Sequence, residues 1–262
     1  MDFENKVVLI NGATGGIGAA IARRLAREHC KIAIVGRRED ELEALTREIQ
    51  QQHGTCLYKK CDVKKKQDIE DTVTFIKEQF GRIDVAILTA GILVPNPIET
   101  FDTAIIKETM DVNFFGMLYF IEYVIKVMKK QKSGTIAAVS TLPDKRGVPG
   151  WGAYGASKAA LSWFMESLRA EAKLKYNINM ITIKPGSVQT PMIKGLPRRG
   201  AISPEKAAEI IVSGIKKEKK VIQFPFLQVL VNRLIEQFPS TTYDHIPIEL
   251  QKGEGYPIVE EK

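Results

Sequence analysis

The chain has 262 residues, 44% hydrophobic and 26% charged, an ordinary balance for a globular protein long enough to bury a sizeable core. Its 38 basic residues outnumber its 31 acidic ones, for a formal charge of +7, but they lie in short clusters such as KKK at 64–66 and KKEKK at 216–220. No aromatic-interleaved basic tract of the kind nucleic-acid binders carry is present.

The start, MDFENK, lacks the apolar core of a signal peptide, and no uncharged run reaches the ~20 residues that span a bilayer. Three cysteines match no metal spacing, so a cytoplasmic protein without a metal centre is expected. In chain order, the apolar runs KVVLI (6–10), KIAIV (31–35) and IDVAIL (83–88) predict strands buried on both faces. Helical spacing fills the intervals near 16–29, 39–52 and 66–80, the second with Leu42, Leu45 and Ile49 on one stripe. Further strands are predicted at 134–140, 178–184 and 220–224. Alternating strand and helix predict an α/β fold: a doubly wound parallel sheet with helices on both faces, in a single domain. Residues 1–224 are expected to form its body, including a loop at about 190–203, with 225–262 as an extension. Prolines at 225, 239, 247 and 257 predict that this tail is irregular. Within it, Leu227, Leu230, Val231, Leu234 and Phe238 share a helical stripe, suited to self-packing or a subunit contact. A membrane surface is the lesser option, since the polar face has no run of basic residues.

The segment INGATGGIGAAIA follows the first strand and opens the first helix. Gly12, Gly16 and Gly18 permit a tight turn, close approach to a pyrophosphate and close helix–strand packing. The helix N-terminus offers unpaired N–H groups to phosphates. The strand–turn–helix context favours a dinucleotide site over a plain turn, although Gly15 also allows a 12–15–18 spacing. The second strand ends IVGRRED, placing Arg37 and Arg38 where an acidic residue would hold a ribose 2′-hydroxyl. Two guanidiniums suit a 2′-phosphate, so NADP(H) is expected over NAD(H); surface charges capping the strand are the alternative.

The glycine loop is followed, in order, by CDV at 61–63, TAG at 89–91, DVN at 111–113, YGASK at 154–158 and PGSVQT at 185–190. From about residue 5 to 224 the sequence thereby resembles the short-chain dehydrogenase/reductase family, which implies a Rossmann-type fold. The resemblance implies that Thr14 and Ile17 join the cofactor site. It also implies that Asp62 contacts the adenine beside Val63, and that Ala90 and Gly91 line the cofactor near its ribose. Asn113 would hold a water linked to the active-site lysine. Pro185, Gly186 and Val188 would shape the loop against the nicotinamide, with Thr190 bonding its carboxamide. Read singly, Asp62 also fits a helix cap, and Asn113 a residue that satisfies backbone groups. Two departures from the family stand out. Asn11 replaces a threonine, and Leu88 and Thr89 stand where asparagines would stabilise the central strand.

Moving a hydride to or from a carbonyl requires a proton partner for the oxygen, and none of the histidines, at 29, 53 and 245, lies in a motif. Tyr154 is the expected partner. Lys158, four residues on and on the same helical face, and an oxidised nicotinamide would lower a phenol that ordinarily titrates near ~10. As in the family, Lys158 would also bind the nicotinamide ribose. The family places a serine 13 residues before the tyrosine, which here is Thr141, with Ser140 one residue earlier. Either hydroxyl is a candidate, or both merely end a strand. The expected reaction interconverts a carbonyl and an alcohol. Its small-molecule substrate is read as lipophilic from Trp151, Met192, Ile193 and Leu196, although Lys194, Arg198 and Arg199 would also suit an anion. By family analogy the chain forms a homodimer or homotetramer. The alternatives are a nucleotide-sugar epimerase or dehydratase, and a non-enzymatic NADP(H)-binding regulator.

Overall fold

Val7–Asn11 form β1, five buried residues whose side chains alternate between the two layers of the core. Val8 and Ile10 face one layer, Val7 and Leu9 the other. In the computed structural model, which describes residues 1–193, 200–239 and 241, β1 lies inside a seven-stranded sheet of order β3-β2-β1-β4-β5-β6-β7. The other strands are β2 (Lys31–Gly36), β3 (Thr55–Lys60), β4 (Val85–Leu88), β5 (Gly134–Val139), β6 (Ile178–Pro185) and β7 (Val221–Phe224). All neighbouring pairs are parallel.

Helices cover both faces, because strands buried on both sides need apolar partners above and below. Residues of α1 (Gly16–Leu25), α2 (Glu39–Gln51) and α7 (Pro204–Lys216) join the layer with Ile10 and Ile34. Residues of α3 (Lys66–Phe80), α5 (Gly116–Gln131) and α6 (Gly152–Tyr176) join the layer with Leu9 and Val35. The chain winds outward from β1 to β3 and then returns to β4. Loops leaving β1 and β4 therefore diverge, and a crevice opens at their C-terminal ends.

The expected strands and the doubly wound sheet are present, with differences in detail. β3 was not anticipated, since TCLYKK is an edge strand with no continuous apolar run. α1 stops at Leu25 and gives way to a short 3-10 turn, Ala26–Glu28. The tail expected to be irregular contains the helix α8 (Phe226–Glu236) along the predicted apolar stripe, whose Leu227, Leu230, Val231 and Leu234 are exposed instead of packing on the chain's own core. Pro225 caps its start and Pro239 lies beyond its end, so the prolines bracket the helix without interrupting it. No helix among the described residues is long and apolar enough to cross a membrane.

Candidate active site

Gly12 has φ 67°, and a Cβ there would sit 2.7 Å from the Ala90 backbone nitrogen. A Cβ on Gly18 would sit 2.4 Å from the Gly12 carbonyl oxygen. Both positions need glycine, and their bareness lets the start of α1 close against the ends of β1 and β4. The helix N-terminus then borders a cleft of about 330 Å³. Every residue expected to bind cofactor or take part in catalysis lines this cleft except Asn113. A backbone cradle with no room for Cβ, a helix N-terminus and arginines nearby suit the pyrophosphate and phosphate groups of a dinucleotide.

Asn11 Oδ1 accepts hydrogen bonds from the backbone N–H of Thr89 (2.6 Å) and Ala90 (3.0 Å), and Thr89 Oγ1 donates to the Asn11 carbonyl at 2.5 Å. The two departures from the family pattern thus answer each other, stitching β1 to the turn after β4.

Arg38 reaches over the glycine loop. Its Nη2 donates to the carbonyl and hydroxyl of Thr14 at 3.0 and 2.9 Å, and its Nη1 lies 2.7 Å from Glu41 Oε1. Asp62 lines the cleft, and its Oδ1 accepts from Lys64 N at 3.1 Å, closing the turn ahead of α3 rather than capping that helix, whose N-cap is Lys65.

At the other end of the cleft, α6 carries Tyr154 and Lys158 on one face, with Nζ 5.9 Å from the ring centre. Lys158 is 3% exposed and donates to the Val139 carbonyl at 2.8 Å. Burial pushes its ammonium down to about 8. Burial pushes the Tyr154 phenol up, and the Thr141 hydroxyl offsets only part of this. Lys158 does not figure among the influences on this phenol in the protein alone, where burial dominates. At neutral pH the Tyr154 phenol is protonated.

The two candidate hydroxyls separate cleanly. Thr141 lines the cleft beside Tyr154, and its hydroxyl draws the phenol's pKa down. Ser140 Oγ is fully buried, donates to the Lys158 carbonyl at 2.8 Å and accepts from Ser162 Oγ at 2.7 Å, anchoring β5 to α6.

Asn113 lies in a single π-helical turn, Asp111–Phe115, between α4 (Thr103–Met110) and α5. Its Oδ1 accepts from Ile92 N at 2.7 Å, and its Nδ2 donates to Ile92 O at 2.9 Å and Ser157 Oγ at 3.1 Å. The amide thus satisfies backbone groups behind the cleft. A Cβ on Gly91 would lie 3.2 Å from Asn113 Oδ1 and 3.3 Å from Lys158 Nζ, so this glycine lets both approach.

Ile92, Leu93, Met192 and Ile193 give the cleft its apolar lining. The first two were missed from sequence, although their position directly after TAG was the available signal. Trp151, expected in the pocket, instead caps the start of α6 and is not among the lining residues. Lys194, Leu196, Arg198 and Arg199 lie outside the described residues.

The sequence profile described as short chain dehydrogenase matches residues 6–199. The chain belongs to the short-chain dehydrogenase family. It is therefore of an oxidoreductase type. An uncharacterized oxidoreductase of Listeria monocytogenes, Lmo0432, is 32% identical over 234 residues, covering 84% of this chain and 94% of its own. A fatty acyl-CoA reductase of Acinetobacter baylyi is 34% identical, covering 84% of this chain and 76% of its own. Among solved structures, an alcohol dehydrogenase of the archaeon Thermococcus sibiricus complexed with 5-hydroxy-NADP superposes with a TM-score of 0.76 at 27% identity, covering 84% and 95% of the two chains. A short-chain dehydrogenase/reductase of Burkholderia phymatum in complex with NAD gives a TM-score of 0.84, covering 98% and 99% at 18% identity. That last likeness concerns the fold alone.

Proposed function

We propose that this chain is an NADP(H)-dependent reductase that converts a lipophilic ketone to an alcohol. The observation that carries this reading is the meeting of Thr141, Tyr154 and Lys158 at one end of the cleft whose other end is the glycine cradle. When bound, the nicotinamide supplies the hydride. Gly12 to Gly18 and the α1 N-terminus hold the pyrophosphate, and the Pro185–Thr190 segment borders the nicotinamide end. Arg37 and Arg38 meet the 2′-phosphate, and Arg38 is already held over the loop by Thr14. The alcohol dehydrogenase structure with an NADP derivative supports the same choice, and since the fold also accommodates NAD, the choice rests on these charges.

Thr141 hydrogen-bonds the substrate oxygen, and Tyr154 gives that oxygen its proton as the alcohol forms. A phenol that burial keeps protonated suits this direction. Lys158 binds the ribose and lies close enough to stabilise the phenolate left behind. Ile92, Leu93, Met192 and Ile193 favour an apolar substrate. A homo-oligomer belongs to the same reading. It is supported by exposed aromatic surface at Phe115, Trp163 and Phe164, and light scattering would test it.

The reading is tested by following NADPH and NADH oxidation in parallel over ketones, β-keto esters and quinones, with Tyr154→Phe as the blank. NADPH-selective turnover that vanishes in the variant is expected. Tight NADPH binding without turnover of any carbonyl would replace the reductase by a binding protein.

A further inference from the structure

α8 follows the last strand, and its inner face carries two amides, Gln228 and Asn232, four residues apart. Gln228 Oε1 accepts from Ser187 N at 2.8 Å, and its Nε2 donates to the Gly200 carbonyl at 3.1 Å. Asn232 Nδ2 donates to the Leu142 carbonyl at 3.3 Å and to Glu236 Oε1 at 2.7 Å. One contact of each amide falls next to the cleft. Ser187 lies between Gly186 and Val188, and Leu142 directly follows Thr141. Gly200 is on the far side of residues 194–199, so one side chain grips the chain before and after that stretch.

The backbone reinforces the same junctions. Ile202 N donates to Ser187 O at 3.1 Å, Gln189 N to Ile202 O at 2.9 Å, and Leu142 N to Pro185 O at 2.9 Å. One turn further along α8, Glu236 pairs with Lys145 at 3.0 Å, and its carbonyl accepts from Arg146 at 3.2 Å. Gly186 is part of the fit. A Cβ there would lie 2.1 Å from Gln228 Oε1, so any side chain at 186 would expel the amide.

We infer that Gln228 and Asn232 are positioning residues, and that α8 is a strap fixing the distance between the segment after β6 and the segment after β5 that presents Thr141. This rests on the functional reading above, in which the first segment borders the nicotinamide and the second holds the substrate oxygen. The strap works through two separable arms. Gln228 sets the cofactor and substrate loop, and Asn232 sets the Thr141 loop.

The test uses the full chain with Gln228→Ala, Gln228→Glu and Asn232→Ala, reading amide hydrogen exchange, NADPH affinity and steady-state kinetics. Gln228→Ala should lower exchange protection at Ser187 about tenfold and raise the NADPH Kd and the carbonyl KM about five- to tenfold, with kcat changing less. In Gln228→Glu an acceptor oxygen remains for Ser187 but the donor to Gly200 is lost. Protection at Ser187 and the NADPH Kd should return to wild type while the carbonyl KM stays raised. Asn232→Ala should lower kcat and leave the NADPH Kd unchanged. Unchanged exchange and affinity in Gln228→Ala, or a Gln228→Glu protein as impaired as the alanine variant on every readout, would overturn the strap. A wild-type protein that binds NADPH yet reduces no carbonyl would sink the functional reading alone, because exchange and affinity still report on Gln228.

Discussion

The two ends of the cleft are built on different principles. The glycine end is made of backbone: Gly12 and Gly18 matter for what they lack, and α1 presents its own N–H groups. The other end is made of side chains, Thr141, Tyr154 and Lys158, whose placing depends on Ser140, Asn113 and the packing of α6. Backbone recognition needs only a local turn and tolerates change in everything but size. Side-chain chemistry needs distant segments held in register.

The sharpest way to break this contrast is to remove one reacting atom. Tyr154→Phe should lower turnover about 10³-fold while leaving NADPH binding near wild type, as checked by fluorescence titration. Next, Thr141→Ala should lower kcat about 10²-fold with little loss of stability. Ser140→Ala should do the reverse, costing about 2 kcal/mol in urea unfolding because it strips the Ser162 hydroxyl and Lys158 carbonyl of a buried partner. Equal kinetic losses in the two variants would erase the distinction between reacting and anchoring hydroxyls. At the glycine end, Arg37→Asp should weaken NADPH binding about tenfold or more and NADH binding far less.

A last effect, on stability alone, concerns Lys158. Below about pH 8 it is charged in folded and unfolded chains alike, and the fold bears the full desolvation cost. As pH rises from about 8 towards the ordinary 10.5, the folded lysine loses its proton first, so the unfolded chain binds more protons. Stability from this group should therefore rise with pH across that window, by on the order of 3 kcal/mol. Denaturation curves of wild type and Lys158→Met should diverge there, and parallel curves would show the lysine is not desolvated.

The same contrast explains what could be read from sequence. The strands at β1, β2 and β4 were legible because strands buried on both faces are written as unbroken apolar runs. β3 was not, because an edge strand ending in Lys59 and Lys60 is written like a loop. The glycine end was legible because bareness is itself a residue type. Of the side-chain end, Tyr154 and Lys158 could be found by their spacing, but the choice between Ser140 and Thr141 could not. It depends on how the strand end is turned, and only Ser162, 22 residues after Ser140, reveals which hydroxyl is engaged elsewhere. The Asn11–Thr89 pair had read as two unrelated departures, since neither residue shows 78 positions away that the other compensates for it. α8 was legible as an apolar stripe at helical spacing, even though the prolines that bracket it also spell an irregular tail.

The position of α8 also bears on how the protein comes into being. The loop after β5 gains its Asn232 support at Leu142 only when α8 is made, 90 residues later. At about 5–20 residues per second, the nascent chain spends roughly five to twenty seconds with that loop made and its brace not yet made. A chain interrupted there would carry every residue that lines the cleft, up to Ile193, and none of the helix that ties its loops together.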